Sequence, residues 1–343
     1  MKVCANCFQD QEIRQFINST STERGNCDYC SEESALLDIE ELLDFFKIFF
    51  SIFRGDFGYG AGKPLIDLIQ EDWKIFTNRD IGAAMLSDIF QITFGMPISD
   101  KIKHQYAPEI EECVHYWNEL KQALKWERRF LTDAELLDEY GWSSLFNINA
   151  EIDSNINLYR ARIHKNGETN PIVLEEMSSP PKEKATAGRA NPCGIPYLYL
   201  SKTPQTTLYE TRSSYLDTLS IGRFVVCGAN LKIVDFTSHP SPFNHMDDMW
   251  ELAQSKFLKR AISADLSKPL RRFDSELEYI PTQFICEFIR YSTGADGIQF
   301  NSSLDEGGVN IVLFDPSKVK CIEVELHQIV NVHIQSKKLS SSR

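Results

Sequence analysis

Residues 188–201 read GRANPCGIPYLYLS, a loop that leads into the short β-like run YLYLS. From residue 157 onward the chain holds further runs of this kind, with helical patterns between them. Because these strands and helices do not alternate regularly, the pattern predicts an α+β fold and not a doubly wound sheet. The other runs are LYRARI, RFVVCGANL, KIVDF, GIQF, NIVLF and KCIEVEL, and the helical patterns are MWELAQSKFLKRAI and TQFICEFIRYS.

Residues 34–150 show helical periodicity and are predicted to form a mostly helical domain. The most apolar stretch, LLDFFKIFFSIF at residues 42–53, is shorter than the roughly 20 residues that a bilayer requires, so we interpret it as a buried helix. Thr132, before AELLDEY, is a candidate N-cap. The apolar positions with helical spacing are Leu36, Leu37, Leu42, Leu43, Phe46, Phe49, Phe50, Phe53, Leu65, Ile66, Leu68, Ile69, Trp73, Ile110, Val114, Trp117, Leu120 and Leu124.

Changes in composition indicate the domain boundaries. Residues 1–33 are polar and contain two cysteine pairs, and the polar stretch EIDSNIN, residues 151–157, is a candidate linker into a C-terminal domain over residues 151–330. The tail, residues 331–343, ends in KKLSSSR and is predicted to be disordered. A chain of 343 residues is long enough for three domains, 1–33, 34–150 and 151–330.

Charge and the N-terminal sequence bear on partners and location. The net charge of −13 argues against nucleic acid and against anionic membranes, since both are bound through clustered Lys and Arg. The first residues, MKVCANC, lack the apolar core of a signal peptide. Nine cysteines, with four of them in two tight pairs, are typical of a cytosolic metal site and not of a disulfide scaffold. We therefore expect a cytoplasmic protein without a membrane partner.

The two cysteine pairs predict a structural zinc site. Cys4-Ala-Asn-Cys7 and Cys27-Asp-Tyr-Cys30 repeat the pattern C-x2-C with nineteen residues between them, so four thiolates can close a tetrahedral Zn²⁺ site. Such a short segment cannot build a core alone, and bound metal would supply much of its folding free energy. Four thiolates leave no open coordination position for catalysis. The alternative is four reduced cysteines in a flexible tail.

The stretch RGDFGYGAGK, residues 54–63, is superficially similar to a phosphate-binding loop. The Walker pattern requires Gly where Phe57 stands and Ser or Thr where Pro64 stands. No predicted strand precedes the stretch, so it also lacks the context of a dinucleotide-binding turn. We interpret it as a connection between two helices.

The C-terminal half resembles the RES-domain family, named for an Arg, a Glu and a Ser. The resemblance lies in the ordered set LYR, GR-x-NP-x-G-x-PYLYLS, TTLYETR, DGIQFNSS and NIVLF, which spans about half of the chain. It implies a fold similar to ADP-ribosyltransferase toxins and NAD⁺ as the substrate. Members of the family degrade NAD⁺ by phosphorolysis or hydrolysis, and many are toxins of bacterial toxin–antitoxin systems. The resemblance therefore also implies an antitoxin or regulatory partner.

Carried over residue by residue, the family's Arg falls on Arg160, its Glu on Glu210 and its Ser on Ser302, with Ser303 as a neighbour. The Arg of the GR-x-NP motif is Arg189, and the Tyr of the LYL strand is Tyr199. The chemistry of NAD⁺ suits these residue types. A carboxylate at Glu210 would stabilise the oxocarbenium-like ribose as nicotinamide leaves.

The remaining residues are assigned to binding the substrate. Arg160 and Arg189 would bind the diphosphate, because a guanidinium can hold phosphate oxygens bidentately. Tyr199 would stack on the nicotinamide ring. Ser302 would hydrogen-bond the nicotinamide or its ribose. Asn310, in GGVNIVLF, is a further candidate.

Residues 34–150 resemble the HEPN-type domains that are sometimes fused to RES domains. HEPN ribonucleases carry the motif R-x4–6-H, which the contexts of His104 and His115 lack. We therefore predict no ribonuclease activity. This region is expected to regulate the enzyme, to recognise a partner or to form a homo-oligomer.

Three hypotheses for function follow. The leading one is an NAD⁺ phosphorylase or glycohydrolase that acts as a bacterial toxin or defence effector. The second is an ADP-ribosyltransferase that modifies a macromolecule. In the third, the zinc ribbon and helical domain make the chain a binding or regulatory protein with an inert RES-like domain.

Overall fold

The computed structural model of the chain describes residues 1–56, 62–98, 101–130, 137, 141–165, 170–268, 276–333 and 336. The chain divides into two compact units. One comprises Met1–Trp117 and His239–Leu258, and the other comprises Asn118–Ser238 and Lys259–Arg343. The three predicted domains stay a prediction, because a division by contacts does not test whether a segment folds alone.

The first unit opens with a three-stranded antiparallel sheet that carries the N-terminal cysteines. The first α-helix begins at Gln11, directly after Asp10. The Asp10 carboxylate accepts hydrogen bonds from the amides of Glu12 and Ile13 and thereby caps the helix. In the sheet, the last strand in sequence lies between the other two. The elements are β1 (Lys2–Cys4), α1 (Gln11–Thr20), β2 (Glu23–Asn26) and β3 (Glu33–Asp38), and the strand order is β1-β3-β2.

The helices of the first unit follow most of the predicted apolar periodicity. Phe46, Phe49 and Phe50 recur at three- and four-residue spacing on one helix, and all three are buried in the core. The apolar stretch at residues 42–53 thus contains the predicted buried helix. The helices are α2 (Leu43–Phe50), α3 (Leu65–Asp72), α4 (Arg79–Phe94) and α5 (Pro108–Trp126), of which α5 continues into the second unit.

The helical prediction was wrong at three positions. Leu36 and Leu37 lie in strand β3, because backbone pairing to β1 and β2 on either side overrides a helical spacing of apolar residues. Phe53 begins a strand of a second small antiparallel sheet. Its strands are β4 (Phe53–Asp56), β5 (Lys63–Pro64) and β6 (Lys103–Tyr106), in the order β4-β6-β5.

This second sheet also corrects the interpretation of residues 54–63 as a connection between helices. Both ends of the stretch pair with β6, Arg54 with Gln105 and Lys63 with His104. Residues 57–61 lie outside the described residues, as does the predicted N-cap Thr132. The stretch therefore contributes two strands to a sheet.

The second unit contains an eight-stranded mixed sheet. Only β11 and β12 pair in parallel, and every other neighbouring pair is antiparallel. The prediction of an α+β fold is confirmed. The strands are β7 (Ala150–Ile152), β8 (Leu158–Ile163), β9 (Leu198–Ser201), β10 (Thr218–Val226), β11 (Leu231–Asp235), β12 (Gly297–Asn301), β13 (Val309–Leu313) and β14 (Val319–Gln328), in the order β14-β10-β8-β9-β13-β12-β11-β7.

The predicted linker at residues 151–157 is partly a strand. Ile152 pairs with Leu231 of β11 and is 3% exposed, so its apolar side chain belongs to the core. Of the predicted disordered tail, residues 334, 335 and 337–343 lie outside the described residues. The described residues of the tail belong to no strand or helix.

Helices complete the second unit. Among the described residues, none of the helices is both long enough and apolar enough to cross a bilayer. The α-helices are α6 (Trp142–Leu145), α7 (Pro204–Glu210), α8 (Met249–Ser267, which begins in the first unit) and α9 (Ile280–Thr293). Short 3-10 helices of the chain lie at Ala5–Cys7, Ile39–Leu42, Leu174–Met177, Lys182–Lys184, Pro242–His245, Glu276–Tyr279 and Pro316–Lys318.

The large sheet is weakly joined at one position. Strands β8 and β9 share a single backbone pair, Tyr159 with Ser201, whereas β8 pairs with β10 over six positions. Strands that share one pair part on either side of it and leave backbone groups that do not belong to a ladder. Two of the predicted site residues, Arg160 and Tyr199, lie on the two strands that meet here.

Replacement of Phe46 by Ala tests the core of the first unit. The Phe46 ring is fully buried and lies parallel to Phe76, with 6.1 Å between ring centroids. We expect Phe46→Ala to lower the free energy of unfolding by about 3–5 kcal/mol, because the cavity cannot refill. Phe130→Ala is the control, since that ring is 95% exposed. Urea denaturation measures both, and equal stability of the two variants would contradict this core.

Candidate active site and metal centre

Helix α7 carries Glu210 at its last position and is held at both ends by one turn. Thr203 caps its start, and the Thr206 hydroxyl donates a 2.6 Å hydrogen bond to the Asp305 carboxylate. At its end, the Ser302 hydroxyl donates to Glu210. Ser302 and Asp305 both belong to the turn between β12 and β13. This turn therefore sets where the Glu210 carboxylate lies.

The Glu210 carboxylate is fixed through one of its oxygens. Oε1 accepts hydrogen bonds from the Ser302 hydroxyl at 2.7 Å and from Asn310 Nδ2 at 2.6 Å. Asn310 is oriented in turn, because its Oδ1 accepts a 2.9 Å hydrogen bond from Ser201. Within the described parts of the chain, Oε2 of Glu210 has no hydrogen-bond partner. One oxygen is thus held while the other is free to meet a ligand.

The Ser302 hydroxyl uses its proton and its acceptor positions within this cluster. Its oxygen accepts hydrogen bonds from the amides of Leu304 at 3.1 Å and Asp305 at 3.2 Å, and its single proton goes to Glu210. The neighbouring Ser303 donates instead to the carbonyl of Ser267. Of the two serines in the motif, Ser302 is the one that faces Glu210.

Tyr199 joins strand β9 to the loop that begins the GR-x-NP motif. Its hydroxyl donates to Asn191 Oδ1 at 2.7 Å and accepts from the Ala190 amide at 3.0 Å. Burial of the phenol raises the pKa of Tyr199 above its ordinary value. Gly188 fits here because a Cβ would come within 2.6 Å of both the Tyr199 hydroxyl and Asn191 Oδ1. Tyr199 therefore anchors the loop through its hydroxyl.

Helix α9 holds the same loop from the other side. The Thr282 hydroxyl donates to the Arg189 carbonyl at 2.5 Å, and Gln283 Nε2 donates to the Gly188 carbonyl at 2.8 Å. Sequence reasoning missed Asn191, Thr282 and Gln283. The Asn-Pro dipeptide was a signal for the turn at Asn191, but nothing local marks the two residues of α9.

Arg189 lines a small cavity with a volume of about 20 Å³, which has room for about one water molecule. One of its N–H groups donates to the Leu266 carbonyl at 3.2 Å, near the end of α8. Four cationic side chains and two carboxylates line the cavity, and its three lysines are ion-paired with Asp265 or Glu278. The lining residues are Lys121, Lys125, Arg189, Asp265, Lys268, Glu278, Tyr279, Pro281 and Thr282.

Arg160 lies apart from the Glu210 group. It shares a face of β8 with Leu158, whereas Tyr159 packs on the other face with Leu208 of α7. Its Nη1 is buried without a hydrogen-bond partner in the described chain. Burial, and then the charge of Arg162, lower the pKa of Arg160 to about 10.

The predicted site residues thus fall into three groups. Glu210, Ser302 and Asn310 form one hydrogen-bonded cluster, while Tyr199 and Arg189 are joined through the GR-x-NP loop. Arg160 bonds to neither group. The junction of β8 with β9 connects all three, since Ser201, which pairs with Tyr159, donates to Asn310.

The N-terminal cysteines converge as the spacing predicts. The Sγ atoms of Cys4, Cys7, Cys27 and Cys30 all lie within 4.8 Å of one another. Adjacent pairs are separated by 3.5 Å, 3.5 Å and 3.9 Å. A tetrahedral ion with metal–sulfur bonds of about 2.3 Å places its sulfurs about 3.8 Å apart. The four thiols therefore fit a Zn²⁺ ion.

Burial of the thiols also favours a metal. Burial raises the pKa of Cys4 to about 11 and raises the pKa of Cys7 as well. Burial would raise the pKa of Cys27 too, but amides of the Cys30 and Tyr29 backbone outweigh it and lower the value. Bound metal compensates for such burial, because it coordinates the thiolate form.

Comparison with known proteins bears on the second unit. A family model described as "RES domain" matches residues 157–334. No curated protein matches the chain. Among solved structures, one from "Crystal structure of the M.tuberculosis MbcT-MbcA toxin-antitoxin complex" covers 57% of this chain and 91% of that chain, with 12% identity and a TM-score of 0.32. A TM-score this low supports no conclusion about fold or function.

The metal centre is tested by Cys4→Ser. We expect zinc content, measured by atomic absorption on purified protein, to fall from about one ion per chain to near zero, because three thiolates and a hydroxyl bind Zn²⁺ far more weakly. The melting temperature should fall with it. Cys227→Ser is the control, since Cys227 is exposed and far along the chain from the four thiols. The site would be contradicted if the purified wild type contained no zinc and had the same melting temperature as Cys4→Ser.

The loop packing is tested by Gly188→Ala. The added methyl must displace Tyr199 or Asn191, so we expect the free energy of unfolding to fall by about 1–3 kcal/mol. In a Tyr199→Phe background the same change should cost less, because the hydroxyl in its way is gone. Equal costs in the two backgrounds, measured by chemical denaturation, would show that this contact does not exist.

Proposed function

The chain belongs to the RES-domain family, and on that premise we propose that its second unit binds NAD⁺ and breaks the bond between nicotinamide and ribose. The observation that supports this most is the Glu210 carboxylate, held through Oε1 by Ser302 and Asn310 with Oε2 left free. A fixed anion of this kind suits a reaction in which a sugar carbon becomes positively charged.

The reaction needs charge stabilisation more than proton transfer. As the C1′–N bond breaks, its electron pair goes to nicotinamide, which leaves neutral, and the ribose acquires oxocarbenium character. The free oxygen of Glu210 would face this charge or hold the ribose hydroxyls. No general acid is required for the departure of nicotinamide. An oxygen of phosphate or water then bonds to C1′, and for water one proton is released.

The cluster geometry suggests a positioning role for Ser302. Its one proton already goes to Glu210, so we assign Ser302 and Asn310 to orienting the carboxylate and not to contacting nicotinamide. Tyr199 holds the GR-x-NP loop through its hydroxyl, and its stacking on nicotinamide stays a proposal. The orientation of Glu210 would then depend on Ser302.

The diphosphate is proposed to bind to arginines. Arg189 lines a small cavity beside three ion-paired lysines, and Arg160 has a buried N–H group without a partner in the described residues. Arg160 is on the opposite face of β8 from the α7 side. We propose that the diphosphate lies near the junction of β8 and β9, where the two strands share a single backbone pair.

The first unit is proposed to act in structure or recognition. Zn²⁺ held by Cys4, Cys7, Cys27 and Cys30 would stabilise the fold there and would offer no open position for catalysis. Loss of NAD⁺ harms any cell, so we propose a toxin or defence effector controlled by an antitoxin or another regulatory partner. The likeness of residues 34–150 to HEPN domains, and a homo-oligomer, stay predictions.

The proposed reaction is tested with Glu210→Gln. Purified full-length protein is incubated with NAD⁺, with and without phosphate, and released nicotinamide is quantified by chromatography. We expect the variant to lose at least about 100-fold in rate, because a neutral amide does not stabilise the developing cation. Glu183→Gln is the matched control, since Glu183 is exposed on a short 3-10 helix. A folded wild type that releases no nicotinamide would sink the proposal.

Labelled NAD⁺ separates the remaining hypotheses. Phosphorolysis gives ADP-ribose 1″-phosphate, and hydrolysis gives ADP-ribose, both as small molecules. Transfer would leave label on a macromolecular acceptor and would favour an ADP-ribosyltransferase. If Glu210→Gln keeps the toxicity of the wild type, the chain acts as a binding or regulatory protein without catalysis.

A further inference from the structure

Arg162, two residues after Arg160, is a half-buried cation on strand β8 that the proposed reaction leaves without a role. Residues two apart on a strand share a face and lie about 7 Å from each other. Arg160 and Arg162 therefore project side by side, and we call them the arginine pair. Both lie opposite small residues of β10, Arg160 opposite Gly222 and Arg162 opposite Ser220.

The arginine pair is incompletely bonded. Nη1 of Arg160 and Nε of Arg162 are buried and have no hydrogen-bond partner in the described residues. Arg162 has one bond, from Nη2 to the Ser178 carbonyl at 2.6 Å, which fixes the plane of its guanidinium. Neither arginine has a carboxylate within salt-bridge distance among the described residues, although the chain carries 49 acidic residues.

This arrangement is costly unless an anion binds. Burial lowers the pKa of both arginines. The charge of Arg162 lowers the pKa of Arg160 further, whereas the more distant carboxylate of Glu176 acts to raise the pKa of Arg162. Two like charges partly removed from water without a salt bridge destabilise a fold, and so do buried N–H groups without acceptors. An anion with several oxygens compensates for both costs, and guanidinium groups suit phosphate best.

We propose that Arg162 acts with Arg160 as a clamp for a diphosphate, so that the site prefers nucleotides with two linked phosphates to those with one. The proposal rests on the proposed function, since it assigns the clamp to the diphosphate of NAD⁺. Two guanidiniums that project from alternate positions on one face of a strand can each bind one phosphate of a linked pair, whereas a single phosphate satisfies only one of them. Arg162 is a binding residue here and takes no part in bond cleavage.

The clamp is tested by equilibrium binding, which requires no chemistry. Isothermal titration of the full chain with ADP-ribose and with AMP compares ligands that carry two phosphates and one. For Arg162→Gln we expect the affinity for ADP-ribose to fall about tenfold to hundredfold, and the affinity for AMP to change less than about threefold. The affinity of Arg162→Lys for ADP-ribose should lie between those of the wild type and Arg162→Gln, because Lys keeps the charge but loses the planar fork.

Arg223→Gln is the matched control, because Arg223 lies on the neighbouring strand β10 and pairs with Glu323 at 2.7 Å. It should leave both affinities unchanged. If Arg162 merely anchors the Ser178 carbonyl, Arg162→Gln lowers the melting temperature but keeps the ratio of the two affinities, and the proposal is overturned. If that variant does not fold, Arg162→Lys decides, and an unchanged ratio there overturns the clamp.

Nicotinamide release keeps this result separate from the proposed function. A wild type that binds ADP-ribose through Arg162 but releases no nicotinamide retains the clamp and loses the reaction. A wild type that cleaves NAD⁺ while Arg162→Gln leaves its KM unchanged retains the reaction and loses the clamp. If the proposed reaction and the clamp are both correct, Arg162→Gln raises KM for NAD⁺ about tenfold or more and leaves kcat nearly unchanged.

Discussion

The second unit depends on two hydrogen bonds to one carboxylate oxygen, from Ser302 and Asn310 to Glu210. They join a seven-residue helix to a strand and to a turn distant in sequence. A helix this short is unstable alone, so its position comes from these contacts and from the bond of Thr206 to Asp305. The same contacts leave the carboxylate preoriented, which avoids a reorganisation cost when charge develops nearby.

The large sheet gives up some backbone pairing at the junction of β8 and β9. A continuous ladder between β8 and β9 would bury and satisfy their backbone, but the strands share only the pair of Tyr159 with Ser201. Polar or charged residues near this pair include Ser201, Asn310 and Arg160. The buried N–H groups of Arg160 and Arg162, which have no hydrogen-bond partner in the described residues, add a further cost in the same region. Costs of this kind concentrate where a protein binds a ligand.

The first unit is stabilised in two ways. Aromatic side chains such as Phe46 and Phe76 pack closely in its core, and Cys4, Cys7 and Cys27 belong to the same buried cluster. The cysteines are thus part of a sheet and core that extend beyond the N-terminal segment. A metal held there would stabilise more of the unit than the segment between Cys4 and Cys30.

Much of this protein was readable from local sequence. Period-two runs such as LYRARI and NIVLF identified strands, the spacing of Cys4, Cys7, Cys27 and Cys30 identified their convergence, and the ordered RES motifs identified the family. Each of these three signals depends on side chains within one element or on fixed spacing. None of them requires knowledge of which residues come into contact in the folded chain. The helical spacing of Leu36 and Leu37 misled for the complementary reason, because pairing with β1 and β2 decided their conformation.

Only the tertiary structure decided that Ser302 and not Ser303 faces Glu210, that Asn191 and Thr282 hold the Arg189 loop, and that Arg160 lies beside Arg162 without a salt bridge. Those facts are set by hydrogen bonds and burial between residues far apart in the chain, which no local pattern encodes.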